Sequence, residues 1–150
     1  MHRVVIAGDQ ATFPNRCSCC GDSAQTGIAV SETVSGGGTR TTSTWEIPYC
    51  TACAEHVKSL RTGMGIALLY LFSLGLFYIQ WRLIWRPRRE KRARAMCKTG
   101  CADIYGVRYQ FDRGGNRHLF EFPSEAYARD FARANQAVLV NPESVRALLE

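Results

Sequence analysis

The 150-residue chain has little of what an enzyme active site is built from. Its three histidines, His2, His56 and His118, are scattered along it, and no Gly-x-Ser-x-Gly elbow occurs. The Gly36-Gly37-Gly38 loop is not followed by the Lys-Ser/Thr that would complete a phosphate cradle. With no nucleophile set beside a base, no catalytic residue is nominated and no enzymatic activity is expected. An internal repeat is also missing. Met1 to Gly8 is too short and too polar for the apolar region of a secretory signal, and the first long apolar run begins only near Gly63.

What is present is unevenly distributed. The 46% apolar and 21% charged content averages one very apolar segment with two polar ones. Residues 1–62 hold five Lys/Arg and five Asp/Glu, whereas residues 82–150 hold fourteen and eight, so the whole formal +6 lies on the second part. Gly63 to Trp81 is a run of nineteen residues without a formal charge. As a helix at about 1.5 Å per residue it spans roughly 28 Å, close to the ~30 Å of a hydrocarbon core. A buried soluble helix of that length needs more protein around it than flanks of this size supply. A transmembrane helix over residues 63–86 is therefore expected, with Tyr78, Trp81 and Trp85 as an interfacial belt and Arg82 and Arg86 snorkelling beside it.

The basic run Arg82, Arg86, Arg88, Arg89, Lys91, Arg92 and Arg94 follows directly. At that position it suits attraction to anionic lipid headgroups, and the positive-inside rule places the C-terminal module in the cytoplasm. Nucleic acid is the weaker reading of the same charge, because the N-terminal part is charge-balanced. A re-entrant hairpin turning near Ser73–Gly75 would keep both modules on one side, but about ten residues per arm are too few to cross.

His2–Ala7 reads as a short strand, and two β-branched stretches, Thr26–Val34 and Thr41–Tyr49, predict a hairpin around the Ser35-Gly36-Gly37-Gly38 loop. A helical turn or two follows at Ala54–Leu60. A helix is expected after Pro87, ending near Gly100. Val107, Tyr109 and Phe111, then the Gly114-Gly115-Asn116 turn, then His118, Phe120 and Phe122 predict a second hairpin. Ser124 is placed to cap a helix whose Tyr127, Phe131, Ala134 and Val138 form an apolar stripe, and a last short helix starts at Asn141-Pro142.

Seven cysteines are many for this length, and an odd number is not a pure disulfide framework. Cys17-Ser18-Cys19-Cys20-Gly21 and Cys50-Thr51-Ala52-Cys53 each contain a C-x-x-C pair in a turn beside an expected strand. Two residues between sulfurs let both face one ion, and two such pairs complete a tetrahedral thiolate set, which suits zinc. Disulfides and a thiol-redox motif are the competing readings; the latter calls for a C-x-x-C at a helix N-terminus within a βαβ unit, and no such unit is evident.

Over residues 13–57 the chain resembles the zinc-ribbon and treble-clef families, whose knuckles read C-x-x-C-G before a hairpin and C-x-x-C at its end. That resemblance implies zinc held by Cys17, Cys20, Cys50 and Cys53. Cys19 and His56 are alternative ligands, and replacing Cys19 is expected to leave the metal in place. Cys97 and Cys101 read as free thiols, with disulfide pairing, a metal shared across a dimer, or palmitoylation as other roles.

The resulting expectation is a small α+β chain: a zinc-ribbon-like module (1–62), a transmembrane helix (63–86), a basic juxtamembrane helix (87–103) and a hairpin-helix module (104–150). Its expected role is that of a non-enzymatic, membrane-anchored zinc adaptor with lipid headgroups and a protein as partners. A membrane thiol-disulfide protein is the alternative. Oligomeric state is left open.

Overall fold

The computed structural model describes residues 1–36, 38–61, 81–97, 101, 103–112 and 116–140. The chain opens with strand β1 (His2–Ala7) and continues through a loop and the first cysteine turn into a long hairpin, β2 (Thr26–Gly36) and β3 (Thr39–Tyr49). The hairpin is paired in register from Thr26↔Tyr49 to Gly36↔Thr39. Its alternating β-branched residues favour extended backbone, but only the base is buried, through Ile28, Val30, Ile47 and Tyr49. Helix α1 (Thr51–Arg61) follows at once. A π-helical turn (Trp81–Trp85) leads into α2 (Arg86–Met96), with Pro87 in its first turn, where a missing N–H costs nothing. Strands β4 (Arg108–Asp112) and β5 (Arg117–Phe122) then form the second hairpin, and α3 (Glu125–Ala134) closes the described part with a 3-10 turn, Gln136–Val138.

β5 is the central strand of an antiparallel sheet ordered β1-β5-β4, with His2 opposite Phe122 and Ala7 opposite Arg117. Period-two alternation sends Val4 and Ile6 of β1, and His118, Phe120 and Phe122 of β5, to one buried face. Both α3 and the base of the long hairpin cover that face. The Phe120 ring lies 5.3 Å from Phe131 of α3, 5.8 Å from Trp45 of β3 and 5.6 Å from Phe13 of the loop between. Glu32 of β2 also accepts the Phe111 backbone N–H, tying the hairpin arm to the β4 edge.

Ser124 caps α3 as expected, its Oγ accepting from the Tyr127 N–H at 3.3 Å. The buried stripe is Tyr127, Ala128, Phe131 and Ala132. Ala134 is exposed and Val138 belongs to the 3-10 turn, because Asn135 ends the helix. The Asn135 side chain is a buried staple: Oδ1 accepts from the Thr12 N–H at 2.8 Å, and Nδ2 donates to the Thr12 and Phe131 carbonyls at 2.9 and 2.7 Å. Asn135→Ala leaves these groups without their partner, and each buried orphan costs about 1–3 kcal/mol. We expect a loss of about 2–4 kcal/mol in urea unfolding, and a loss below ~1 kcal/mol would show that water replaces the side chain.

The observed pairing corrects the expected architecture. β1 and β5 flank the Gly63–Trp81 segment in sequence yet share one sheet, and the hairpin base, the cysteine turns and α3 share one core. The parts before and after that segment therefore lie on the same side of any barrier, which is incompatible with a single-pass protein whose C-terminal part alone is cytoplasmic. Among the described residues no helix is long and apolar enough to cross a membrane. No transmembrane element is part of the described fold; most of the segment expected to form one, and the helix expected at Asn141-Pro142, lie outside the described residues. What is described is a small α+β fold of two β-sheets and three α-helices.

Candidate metal centre

Two turns build the site. In the first, the Cys17 N–H donates to the Asp22 carbonyl at 2.6 Å and the Gly21 N–H to the Cys17 carbonyl at 2.9 Å, wrapping the chain around the sulfurs. Gly21 sits at φ +82°, a conformation that costs a side-chain-bearing residue about 1–2 kcal/mol, which explains glycine directly after Cys20. The Ser18 N–H donates to the Pro48 carbonyl at 3.1 Å and so docks this turn on the end of β3. The second turn is the junction of β3 with α1: Cys50 directly precedes the helix and Cys53 lies in its first turn. Helical spacing puts both on one side, next to the exposed N–H groups and positive dipole end that favour thiolate.

The two turns bring Cys17, Cys20, Cys50 and Cys53 together, with all four sulfurs within 4.8 Å of one another. Cys20 Sγ and Cys50 Sγ are 3.7 Å apart. A tetrahedral ion with metal–sulfur bonds of about 2.3 Å needs sulfur–sulfur edges of about 3.8 Å, so the cage is already near the right size. These cysteines could hold a metal ion.

A second group adjoins the first. Cys19, Cys53, His56 and Cys101 place one donor atom each within 4.8 Å of the others. Cys19 Sγ lies 2.8 Å from Cys101 Sγ, and Cys53 Sγ lies 3.4 Å from the same atom. The His56 ring, fully buried on α1, lies between Cys97 (Nδ1, 3.5 Å) and Cys101 (Nε2, 3.9 Å). All seven cysteines are free thiols.

The thiols oppose one another. Hydrogen bonding from Cys101, helped by His56 and opposed by burial, holds Cys19 down at about 5. Burial opposes ionisation of Cys50, but the Cys53 backbone N–H and neighbouring thiols outweigh it and lower its value. Burial drives Cys20 up to about 12, with Cys17 and Cys50 adding to it. Cys53 is raised mainly by burial, and Cys101 mainly by its hydrogen bond to Cys19. Packed sulfurs cannot all ionise beside each other, and a divalent cation is what removes that conflict.

No protein-family model, curated protein or solved structure matches this chain.

The alternative ligands Cys19 and His56 gather in the second group, with Cys53 and Cys101. Cys97 and Cys101, read from the sequence as separate thiols, are beside them. The signal was the donor count, since seven cysteines and His56, three residues after Cys53, suffice for two four-donor sets. The basic residues Arg86, Arg88, Arg89, Lys91, Arg92 and Arg94 lie on α2, which packs along α1. Arg86 pairs with Glu90 at 2.9 Å and Arg89 donates to the Ser59 carbonyl, whereas Arg88, Lys91, Arg92 and Arg94 are exposed. Arg82 lies on the π-helical turn before them.

Proposed function

We propose that this chain is a non-enzymatic zinc protein in which Cys17, Cys20, Cys50 and Cys53 hold a structural ion, and that the folded unit is an interaction module for another protein. The observation that carries the reading is the four-sulfur cage, sized for a tetrahedral ion. Four thiolates select zinc or iron–sulfur chemistry, and zinc is the choice for a single closed tetrahedral set without redox demand. A closed set leaves no position for substrate or an activated water, which argues for structure over catalysis. The order of the elements, C-x-x-C-G turn, hairpin, then C-x-x-C at its end, also follows the zinc-ribbon and treble-clef resemblance. The exposed arm of the long hairpin and the cationic face of α2 are the surfaces offered to a partner.

A second reading, thiol–disulfide exchange with an external disulfide, is favoured by one observation, the 2.8 Å approach of Cys19 and Cys101. Elemental analysis of dialysed full-length protein separates the two. Retained zinc with thiols inert to mild oxidant is the expected outcome. Metal-free protein whose thiols cycle with a redox buffer would replace the first reading by the second.

A further inference from the structure

We infer that Cys19, His56, Cys97 and Cys101 form a second metal site, a three-thiolate, one-imidazole set for a zinc-class divalent ion, contiguous with the four-cysteine set and made partly by residues beyond the resemblance to zinc ribbons. The first set closes with Cys17, Cys20, Cys50 and Cys53, leaving three thiols; Cys19 and Cys101 gather with the buried His56 imidazole, and Cys97 lies against the same ring at 3.5 Å.

The first turn serves both sites. Cys17 and Cys20 face α1's start, and Cys19 between them faces Cys101, 2.8 Å away. That separation is well beyond the roughly 2.05 Å of a disulfide and short of the about 3.8 Å edge around a tetrahedral zinc, so a small opening of the pair admits an ion. His56 supplies the nitrogen: its Nε2 is 3.9 Å from both Cys97 Sγ and Cys101 Sγ, against about 3.6 Å expected for a sulfur–nitrogen edge. A buried histidine in an ordinary core is satisfied by carbonyls or hydroxyls, whereas this ring, 0% exposed, is directed at thiols.

Cys53 lies close enough to join either set. Assigning it to the second would leave the first with three ligands and Cys97 with none, so the pairing that uses every donor once gives Cys53 to the first set and Cys97 to the second. The consequence is mechanical. Cys97 directly follows α2, so an ion held there fastens the end of α2 and Cys101 to His56 of α1 and to the first cysteine turn.

The test is cadmium-113 NMR, with metal analysis, of the full-length protein reconstituted with cadmium. The expected result is about two ions per chain and two resonances, one in the four-sulfur range and one in the three-sulfur, one-nitrogen range, the latter coupled to a His56 ring nitrogen. Cys97→Ser is expected to lose the second resonance and keep the first, and Cys19→Ser likewise. One ion per chain with only the four-sulfur signal would overturn the second site and leave the proposed function standing; no bound metal would overturn both. If Cys97→Ser keeps both ions, Cys53 bridges them and the four-residue assignment is wrong. Should the variants fail to fold, the wild-type spectrum alone decides.

Discussion

Stripping metal from the full-length protein is expected to unfold the cysteine turns, the base of the long hairpin and α1 together. Structural zinc supplies roughly 10–16 kcal/mol at neutral pH in small modules, which is of the same size as the roughly 5–15 kcal/mol that holds a typical domain together. Here three of the four sulfur-bearing residues are inside the core, and Cys20 packs against it. Cys17, Cys50 and Cys53 are buried with Tyr49, Ala54 and Val57, and the Tyr49 hydroxyl accepts the Val107 backbone N–H at 2.9 Å, so loss of the cage propagates to the strand that follows. Far-UV circular dichroism with a strong chelator, and of Cys53→Ser, should show loss of both helix and strand signal. A chelated protein with an unchanged spectrum and unfolding midpoint would mean that the core is sufficient without metal.

Phe120→Ala is the second large effect. The ring is fully buried at the middle of the central strand and meets Phe13, Trp45, Tyr109, Phe122 and Phe131 at centroid distances of 5.1 to 6.0 Å. Those neighbours come from the connecting loop, β3, β4, β5 itself and α3, so one truncation opens a cavity where every layer meets. Phe→Ala at such a site costs about 3–5 kcal/mol, to be read from the shift in denaturant midpoint at constant slope. Leu119, one residue earlier and on the opposite, half-covered face, should lose clearly less on truncation. Equal losses would contradict the assignment of the buried face.

Local structure was legible in the residues to a large extent. β-Branched stretches marked the long hairpin, period-two alternation marked the second hairpin and the buried face of β5, and Ser124 marked the start of α3, because these signals act over a few neighbouring residues. The β-branched stretches stopped short of the hairpin's tip, where β2 runs to Gly36 and β3 begins at Thr39, since serine and glycine there carry no strand signal. The two C-x-x-C pairs were legible for the same reason, each being a local turn. Pairing across the chain was not. Nothing in His2–Ala7 names Arg117–Phe122 as its neighbour, and without that pairing the charge step and the apolar run from Gly63 suggested separate modules. The second cysteine group was hidden likewise: His56 is three residues from Cys53, but Cys97 and Cys101 reach it only because α2 returns along α1.

X-ray absorption at the zinc edge of full-length protein, purified without added metal, tests the four-cysteine centre most directly. The proposed function predicts a first shell dominated by sulfur at about 2.3 Å, with at most a minor nitrogen contribution near 2.0 Å from the adjoining site. A shell made chiefly of nitrogen or oxygen near 2.0 Å, or protein that carries no zinc, would contradict it.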